Sequence, residues 1–351
     1  MIKALVAMSG GVDSSVCACI LKEKGIQIKG VTLRLFNNNI RDFCCDENDI
    51  LDAENVCKNL SVPFETADYS GEFEKYVINS FVDGYLRGET PNPCINCNRF
   101  IKFPCLFDIA QKENFSHIAT GHYARIEKDS ATGRYLLKKG AYDLKDQSYV
   151  LYNLRQNQLE RIIFPIGEMN KQQVREIAEK YGFVNRNKPD SQDICFVGNN
   201  DYVSFIEKRM NRKFEAGNFV DRSGNVIAKH RGVISYTVGQ RKGLGIASEE
   251  PYYVLEKDVK KNEVIIGRYK EQFTKFLYAG DLNFIPFDYL RSDMRCKAKI
   301  RYRHEPAEAL IIPLDENRVK VEFLQEQKAV TRGQSVVFYE DEYVLGGGII
   351  R

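Results

Sequence analysis

The 351-residue sequence has no long apolar run, because a charged residue interrupts every apolar stretch within a few positions. A membrane-spanning helix needs about 20 consecutive apolar residues. The apolar start, MIKALVAM, leads directly into a glycine loop and leaves no room for the successive regions of a signal peptide. We therefore expect a soluble, cytoplasmic protein with no membrane partner.

The sequence also lacks a strong charge of either sign and a dense set of cysteines. Lysine and arginine number 51 and aspartate and glutamate 48, so the net charge is only +3. Any contact with nucleic acid must then come from local basic patches. Ten cysteines in so long a chain are too sparse for a secreted disulfide scaffold. In a reducing compartment such thiols are core residues, metal ligands or reactive groups.

The order of predicted elements indicates three domains. An apolar strand, a glycine turn, a helix and a second strand open the chain, and this alternation continues, which predicts a doubly wound α/β domain with a parallel sheet. Later segments are short, β-rich and separated by turn residues. We predict an α/β domain over residues 1–201, a small β-rich central domain over 202–272 and a C-terminal antiparallel β-barrel over 273–351. The barrel strands are predicted to include AKIRYR, ALIIPL, RVKVEFL and QSVVFYE.

The loop after the first strand, AMSGGVDSS, has the glycines of a phosphate cradle but no lysine. A Walker loop needs that lysine to reach the β and γ phosphates. Backbone N–H groups and the start of a helix would instead suit a leaving pyrophosphate. Asp13 could cap the helix or approach Mg²⁺. The alternative is an ordinary glycine turn capped by Asp13 or Ser14.

The motif TPNPCINCN places Cys94 and Cys97 in a C-x-x-C spacing, with Arg99 and Lys102 close enough in sequence to favour thiolates. We expect an exposed, electropositive loop. Half of a zinc site is the alternative, but the chain has no second C-x-x-C. The pattern around Cys195 fits either burial or loop exposure. The adjacent Cys44 and Cys45 have no assigned role, and burial is predicted for Cys17, Cys19, Cys57, Cys105 and Cys296.

Alternating cations in CKAKIRYRHEP provide the clearest RNA signal. In a strand, Lys297, Lys299, Arg301 and Arg303 would share one face. Such a face would bind phosphates. The alternative is a solvated edge strand that uses charge to prevent aggregation.

The segment SGGVDS directly after a first strand resembles the PP-loop of the ATP pyrophosphatases. Together with the NP-x-x-x-CN motif, ATGHYAR, KDQSYVLYNL, FPIG and YTVGQRKGLGI, it makes the whole chain similar to the tRNA-specific 2-thiouridylases. The resemblance implies an adenine-nucleotide α-hydrolase-like fold. It also implies ATP-dependent 2-thiolation of the wobble uridine of tRNA through an adenylated C2 oxygen, with release of AMP and pyrophosphate.

The resemblance assigns residues to this chemistry. Cys97 takes the place of the nucleophile and Cys195 that of the persulfide carrier, with a Cys97–Cys195 disulfide left after sulfur transfer. ATP is assigned to Ala7, Met8, Ser9, Gly10, Gly11, Val12, Asp13, Ser14, Leu33 and Gly121. Contacts with tRNA are assigned to Asn92, Pro93, Cys94, His122, Lys145, Asp146, Gln147 and Gln334, and the basic segment adds Arg301 and Tyr302. The implied partners are tRNA and a persulfide donor, either a cysteine desulfurase or a sulfur-relay protein.

Cys94 departs from the family pattern, which often has aspartate at this position. Cys94, Cys97 and Cys195 could instead bind three irons of a 4Fe–4S cluster, although the two-thiol scheme needs no resident metal. Two other functions remain open: a PP-loop enzyme that adenylates a small molecule, and a non-catalytic metal-binding RNA module. Neither would need both the PP-loop and paired reactive cysteines.

Overall fold

A computed structural model describes residues 2–36, 47–189 and 194–351. Cys44 and Cys45 lie outside the described residues, as do residues 190–193 before Cys195. The strands are β1 (Lys3–Ala7), β2 (Gln27–Arg34), β3 (Phe64–Asp68), β4 (His117–Ala119), β5 (Ala124–Lys128), β6 (Tyr135–Lys139), β7 (Ile162–Ile163), β8 (Gly217–Val220), β9 (Val226–His230), β10 (Tyr253–Asp258), β11 (Glu263–Gly267), β12 (Phe273–Phe284), β13 (Met294–Lys299), β14 (Ala307–Asp315), β15 (Arg318–Lys328), β16 (Ser335–Glu340) and β17 (Tyr343–Ile350).

The α-helices are α1 (Val12–Glu23), α2 (Glu47–Asn59), α3 (Ser70–Phe73), α4 (Asn79–Leu86), α5 (Pro93–Asn96), α6 (Phe103–Lys112), α7 (Gln156–Leu159), α8 (Lys171–Lys180) and α9 (Tyr202–Met210). A π-helical segment joins α3 to α4 over Glu74–Ile78, and a second joins α5 to α6 over Cys97–Lys102. Such wide turns inside helices are rare and often lie at functional sites. The second one begins at a predicted catalytic cysteine.

The first sheet is parallel, with the strand order β3-β2-β1-β4-β7. The predicted α/β domain is thereby confirmed. Strands β2 and β3 lie on one side of β1, and β4 and β7 lie on the other, so the strand order reverses between β1 and β4. Ligands of open α/β sheets bind beside such a reversal, at the carboxyl ends of the strands. The glycine loop follows β1 and Gly121 lies shortly after β4.

The β-rich remainder forms two further sheets. The central one has the order β10-β11-β8-β9, with β8 and β11 parallel. In the C-terminal one, β12, β15, β14, β13, β16 and β17 pair in succession, and β12 also pairs with β17, which closes a six-stranded barrel. The predicted barrel is confirmed.

Two details of the barrel differ from the prediction. The β5–β6 hairpin belongs to the first part of the chain, yet β6 pairs with β17 and extends the barrel sheet. The strand predicted over AKIRYR ends at Lys299, and residues 301–304 form a turn. Lys297 and Lys299 therefore lie on the strand, whereas Arg301 and Arg303 do not share its face. Strand β13 pairs with β14 on one side and with β16 on the other, so it is not an edge strand.

Candidate active site

The glycine loop is shaped by backbone contacts that only glycine permits. Gly10 has φ +74°, and a Cβ there would overlap the Asp49 backbone. Gly11 is the N-cap of α1, and among the described residues no side chain accepts a hydrogen bond from the start of this helix. The hydroxyl of Ser14 instead donates to the Gly11 carbonyl at 2.9 Å. The alternative of a turn capped by Asp13 or Ser14 is therefore wrong, and the first N–H groups of α1 face the loop.

Asp13 is held by two side chains from distant segments. Its Oδ1 accepts hydrogen bonds from the Tyr123 hydroxyl at 2.7 Å and from the Lys171 ammonium at 2.8 Å. Lys171 is the first residue of α8. A cation at a helix N-terminus opposes the helix dipole, so this position indicates a role beyond helix stability. Lys171 supplies beside the loop the positive charge that the loop itself lacks.

The two other predicted ATP positions lie beside the loop. A Cβ on Gly121 would come within 2.8 Å of the Asp13 carbonyl carbon and 2.9 Å of the Ser14 nitrogen, so the backbone after β4 touches the start of α1. Leu33 is partly buried near the carboxyl end of β2. The predicted ATP positions, which run from Ala7 to Ser14 with Leu33 and Gly121, thus gather at the carboxyl edge of the parallel sheet.

The C-x-x-C segment begins with a capped helical turn. The Asn92 side chain accepts a hydrogen bond from the Cys94 backbone at 3.1 Å, and Pro93 occupies the first turn of α5. The buried Asn98 donates to the Val150 carbonyl at 3.0 Å. The segment is therefore fixed at both ends. Cys94 is exposed and Cys97 is only partly buried, so the prediction of an exposed loop holds for the first thiol alone.

Charge near the two thiols comes from Lys102. Burial and the neighbouring Cys94 raise the pKa of Cys97 to about 11, and Lys102 opposes this rise. Desolvation by surrounding protein likewise raises the pKa of Cys94, again opposed by Lys102. The prediction that Arg99 acts with Lys102 is wrong, because the Arg99 guanidinium pairs with Asp281 of β12, with one nitrogen–oxygen distance of 2.9 Å.

Cys195 lies in a turn that an aromatic cluster anchors. The neighbouring Phe196 is buried and packs its ring 5.1 Å from Phe81 and 5.9 Å from Phe73. Cys195 and Cys97 are both partly buried and border the same apolar cluster. The structure therefore resolves the alternatives for Cys195 in favour of a partly buried turn and brings both predicted catalytic thiols to one cluster.

A continuous set of contacts links the glycine loop to the cysteines. Gly121 touches the loop, and the ring of the next residue, His122, stacks on Phe103 at 5.8 Å. Phe103 directly follows Lys102 in the chain. Burial is the main cause that lowers the pKa of His122, and the charge of Lys102 lowers it further. These contacts run from the glycine loop to the helical segment that contains Cys97.

Several residues predicted to contact tRNA make internal contacts instead of presenting free side chains. His122 is buried and pairs through Nδ1 with the Thr120 hydroxyl at 2.7 Å. Asp146 accepts hydrogen bonds from the backbones of Gly140 and Ser148, both at 3.0 Å. The His122 ring is therefore held inside the fold, and Asp146 shapes its own turn.

Two barrel residues in the predicted tRNA set reach the first part of the chain. The Tyr302 hydroxyl donates to the Asp146 carbonyl at 3.2 Å, and burial, then Asp146 and Cys94, raise the pKa of Tyr302. Gln334 donates to the Thr90 carbonyl at 2.6 Å, just before the C-x-x-C segment. The barrel therefore packs beside the C-x-x-C segment.

Comparison with known proteins finds similarity over nearly the whole chain. Family models match in succession: the tRNA methyl transferase HUP domain over residues 2–199, the tRNA methyl transferase PRC-barrel domain over 203–268 and the Aminomethyltransferase beta-barrel domain over 274–350. The tRNA-specific 2-thiouridylase MnmA of Acetivibrio thermocellus is 49% identical over 355 residues, covering 99% of each chain. That of Clostridioides difficile is 46% identical over 352 residues, covering 99% of this chain and 98% of its own. The chain belongs to the tRNA-specific 2-thiouridylase family.

Among the described residues of this chain, the three cysteines proposed as cluster ligands are not grouped together. Among the residues that the structure describes, no three histidine, cysteine, aspartate or glutamate side chains are grouped to hold a metal ion. The cluster of Cys94, Cys97 and Cys195 therefore gains no support, and neither does a zinc site. In the same described ranges, no helix is long and apolar enough to cross a membrane.

Sequence reasoning missed the residues from distant parts of the chain that hold the glycine loop in place. Lys171 and Tyr123 bind Asp13, and Asn185 donates from Nδ2 to the Gly10 carbonyl at 2.8 Å and to the Ser15 hydroxyl at 2.9 Å. Only Lys171 had a local signal, because a lysine in the first turn of a helix is electrostatically unfavourable. The others look like ordinary polar residues in the sequence.

Proposed function

We propose that this chain catalyses the ATP-dependent 2-thiolation of the wobble uridine of tRNA. The observation that supports this most directly is the linkage of the phosphate cradle to two partly buried thiols across Gly121 and His122. The full-length similarity to tRNA-specific 2-thiouridylases agrees with it. A small-molecule adenylating enzyme would need neither the thiols nor the barrel that packs beside the C-x-x-C segment.

In the first step, the C2 oxygen of the uridine attacks the α-phosphorus of ATP and pyrophosphate leaves. The N–H groups at the start of α1 and the ammonium of Lys171 would stabilise the negative charge of the leaving group. Mg²⁺ would arrive bound to the ATP phosphates, where the Oδ2 atom of Asp13 is the loop oxygen suited to bind it. Tyr123 and Lys171 orient that carboxylate through Oδ1.

In the second step, the terminal sulfur of a Cys195 persulfide attacks the activated C2 carbon and AMP leaves. The Cys97 thiolate then attacks the Cys195 sulfur, which leaves the transferred sulfur on the uridine and forms a Cys97–Cys195 disulfide. Lys102 assists by favouring the thiolate form of Cys97. A cysteine desulfurase or a sulfur-relay protein would load Cys195, and the reducing cytoplasm is the compartment that suits these thiols.

The adenylation step is tested by the identity of the nucleotide products. With tRNA present, the protein should convert ATP to AMP and pyrophosphate, and Asp13→Ala should lose both products. Lys171→Met should slow their formation by about 100-fold, the size expected for removing one preorganised charge contact. Lys180→Met is the matched control, because this exposed lysine ends the same helix. Formation of ADP and orthophosphate would show that the proposed cleavage is wrong.

A further inference from the structure

The disulfide left by the proposed reaction must be opened before another turnover, and a third thiol lies next to it. We propose that Cys94 opens the Cys97–Cys195 disulfide by attacking the Cys97 sulfur. This inference rests on the proposed function, which forms that disulfide. It assigns a role to the residue that departs from the family pattern.

Helix geometry brings Cys94 and Cys97 within bridging distance. The two residues are three apart on the helical turn that begins at Pro93 and continues into the Cys97–Lys102 segment. A rise of 1.5 Å and a rotation of 100° per residue place such Cα atoms about 5 Å apart. Disulfides form at Cα separations of roughly 4.4 to 6.8 Å. A Cys94–Cys97 bridge therefore needs little backbone movement.

The three thiols differ in exposure, and this difference favours moving the disulfide from Cys195 to Cys94. Cys97 and Cys195 are partly buried against one apolar cluster, whereas Cys94 is exposed. A disulfide between these two partly buried thiols is less accessible to a reductant than one that includes Cys94. Exchange with Cys94 moves the bridge to the surface, where a soluble thiol can reach it, and frees Cys195 for a new persulfide.

The exchange is balanced without an added oxidant. The Cys94 thiolate forms a bond to the Cys97 sulfur, the Cys97–Cys195 bond breaks, and Cys195 leaves as a thiolate that takes up a proton. One disulfide is broken and one is formed. A cellular dithiol, or two molecules of a monothiol, then supplies the two electrons that reduce the Cys94–Cys97 bridge.

Lys102 is the charged group that lowers the pKa of both Cys94 and Cys97. It favours the thiolates of Cys94 and Cys97, whereas desolvation by the surrounding protein raises the pKa of each thiol. Arg99, the other nearby cation, is paired with Asp281. Cys94 also contributes to the raised pKa of Tyr302, which follows strand β13 of the barrel. Because the attacking group is the thiolate, the exchange should become faster as the pH rises toward the raised pKa of Cys94.

A single turnover with disulfide mapping tests the proposal. Protein whose Cys195 carries a persulfide, separated from its donor, is mixed with ATP and tRNA, quenched in acid, alkylated and digested for mass spectrometry. We expect a Cys94–Cys97 bridge in the unsubstituted protein and a Cys97–Cys195 bridge in Cys94→Ser. A Cys97–Cys195 bridge in both proteins would overturn the inference while leaving the proposed function intact. Absence of thiouridine from the same samples would instead count against the proposed function.

A second measurement decides the inference without tRNA. The protein is equilibrated in buffers of reduced and oxidised glutathione and its bridges are mapped. A Cys94–Cys97 bridge is expected, and a Cys97–Cys195 bridge or glutathione adducts alone would overturn the proposal. In steady state, the ratio of the rate with a phosphine reductant to the rate with glutathione should be about tenfold larger for Cys94→Ser than for the unsubstituted protein. Equal ratios would also overturn it.

Discussion

At the scale of single residues, the proposed chemistry depends on two thiols with different tasks. In the proposal, Cys195 would carry the sulfur and Cys97 would release it. Both thiols are partly buried at one apolar cluster. Burial protects a persulfide from solvent but raises the pKa of the Cys97 thiol. Lys102, the last residue of the same π-helical segment, offsets part of that rise.

Cysteine substitutions should separate these tasks. Cys195→Ser should abolish loading of sulfur, because no thiol remains to form the persulfide. Cys97→Ser should accept sulfur but stop turnover, because no thiolate cleaves the sulfur–sulfur bond. Cys94→Ser should keep much of its single-turnover activity. Persulfide labelling and thiouridine formation in a single turnover measure these outcomes.

An iron–sulfur mechanism predicts a different pattern from the same variants. Loss of any of the three thiolate ligands would then remove iron and activity together. Protein purified without oxygen would also absorb broadly in the visible range. If Cys94→Ser were inactive in a single turnover and the unsubstituted protein carried iron, the two-thiol account would be wrong.

The residues that sequence reasoning found and those it missed differ in how local their signals are. The glycines of the loop and the C-x-x-C spacing are local, since a turn or a helical turn of a few residues determines them. Lys171 reaches Asp13 across 158 positions in the chain, and Asn185 reaches Gly10 across 175. Such contacts depend on the packing of α8 and the following segment on the PP-loop, which a sequence pattern does not display.

At the scale of elements, the parallel strands were predictable because their apolar runs alternate with helices of clear periodicity. The prediction of a strand over AKIRYR is wrong in its second half, because the alternation of cations and apolar residues continues while the strand ends at Lys299. Tyr302 there turns toward Asp146 and packs its ring 6.0 Å from Tyr149. A tertiary contact thus overrode the local strand pattern.

The cations of this element should contribute unequally to tRNA binding. Lys297 lies 3.9 Å from Glu308 of β14, and Lys299 is drawn over the ring of Tyr302 at 5.8 Å. Arg301 and Arg303 are exposed on the turn. Replacing both arginines with glutamine should reduce the salt dependence of tRNA binding more than replacing both lysines. The slope should fall by roughly 0.7 to 0.9 for each phosphate that the variant no longer binds.

Binding titrations at several salt concentrations measure this slope. Lys112→Gln is a suitable control, because this exposed lysine pairs with Asp108 on α6. A slope that stays the same after all four cations are neutralised would show that this face is merely solvated.

At the scale of the whole molecule, the proposed domains are joined more closely than their boundaries near residues 201 and 272 indicate. The β5–β6 hairpin extends the barrel sheet, and Leu137 of β6 pairs with Val344 of β17. Tyr149 is fully buried and donates to the Ser335 carbonyl at 2.8 Å. The core of the first part of the chain therefore includes barrel residues, which no boundary read from sequence texture could reveal.

A fragment of residues 1–201 should consequently not fold cooperatively alone. Without the barrel, Leu137, Tyr149 and Tyr152 would become exposed to solvent, and each buried tyrosine accounts for about 150–250 Å² of surface. We expect aggregation or a broad thermal transition in scanning calorimetry, compared with a sharp one for the full chain. A monomeric fragment that unfolds cooperatively near the temperature of the full chain would contradict this expectation.

The most direct test of the central claim is the nucleoside product. Purified protein is incubated with ATP, a persulfide donor and unmodified tRNA, and the digested nucleosides are analysed by mass spectrometry. The account predicts 2-thiouridine at the wobble position, dependent on ATP and absent with Cys195→Ser. ATP-dependent AMP release with no thiouridine in the tRNA would contradict it.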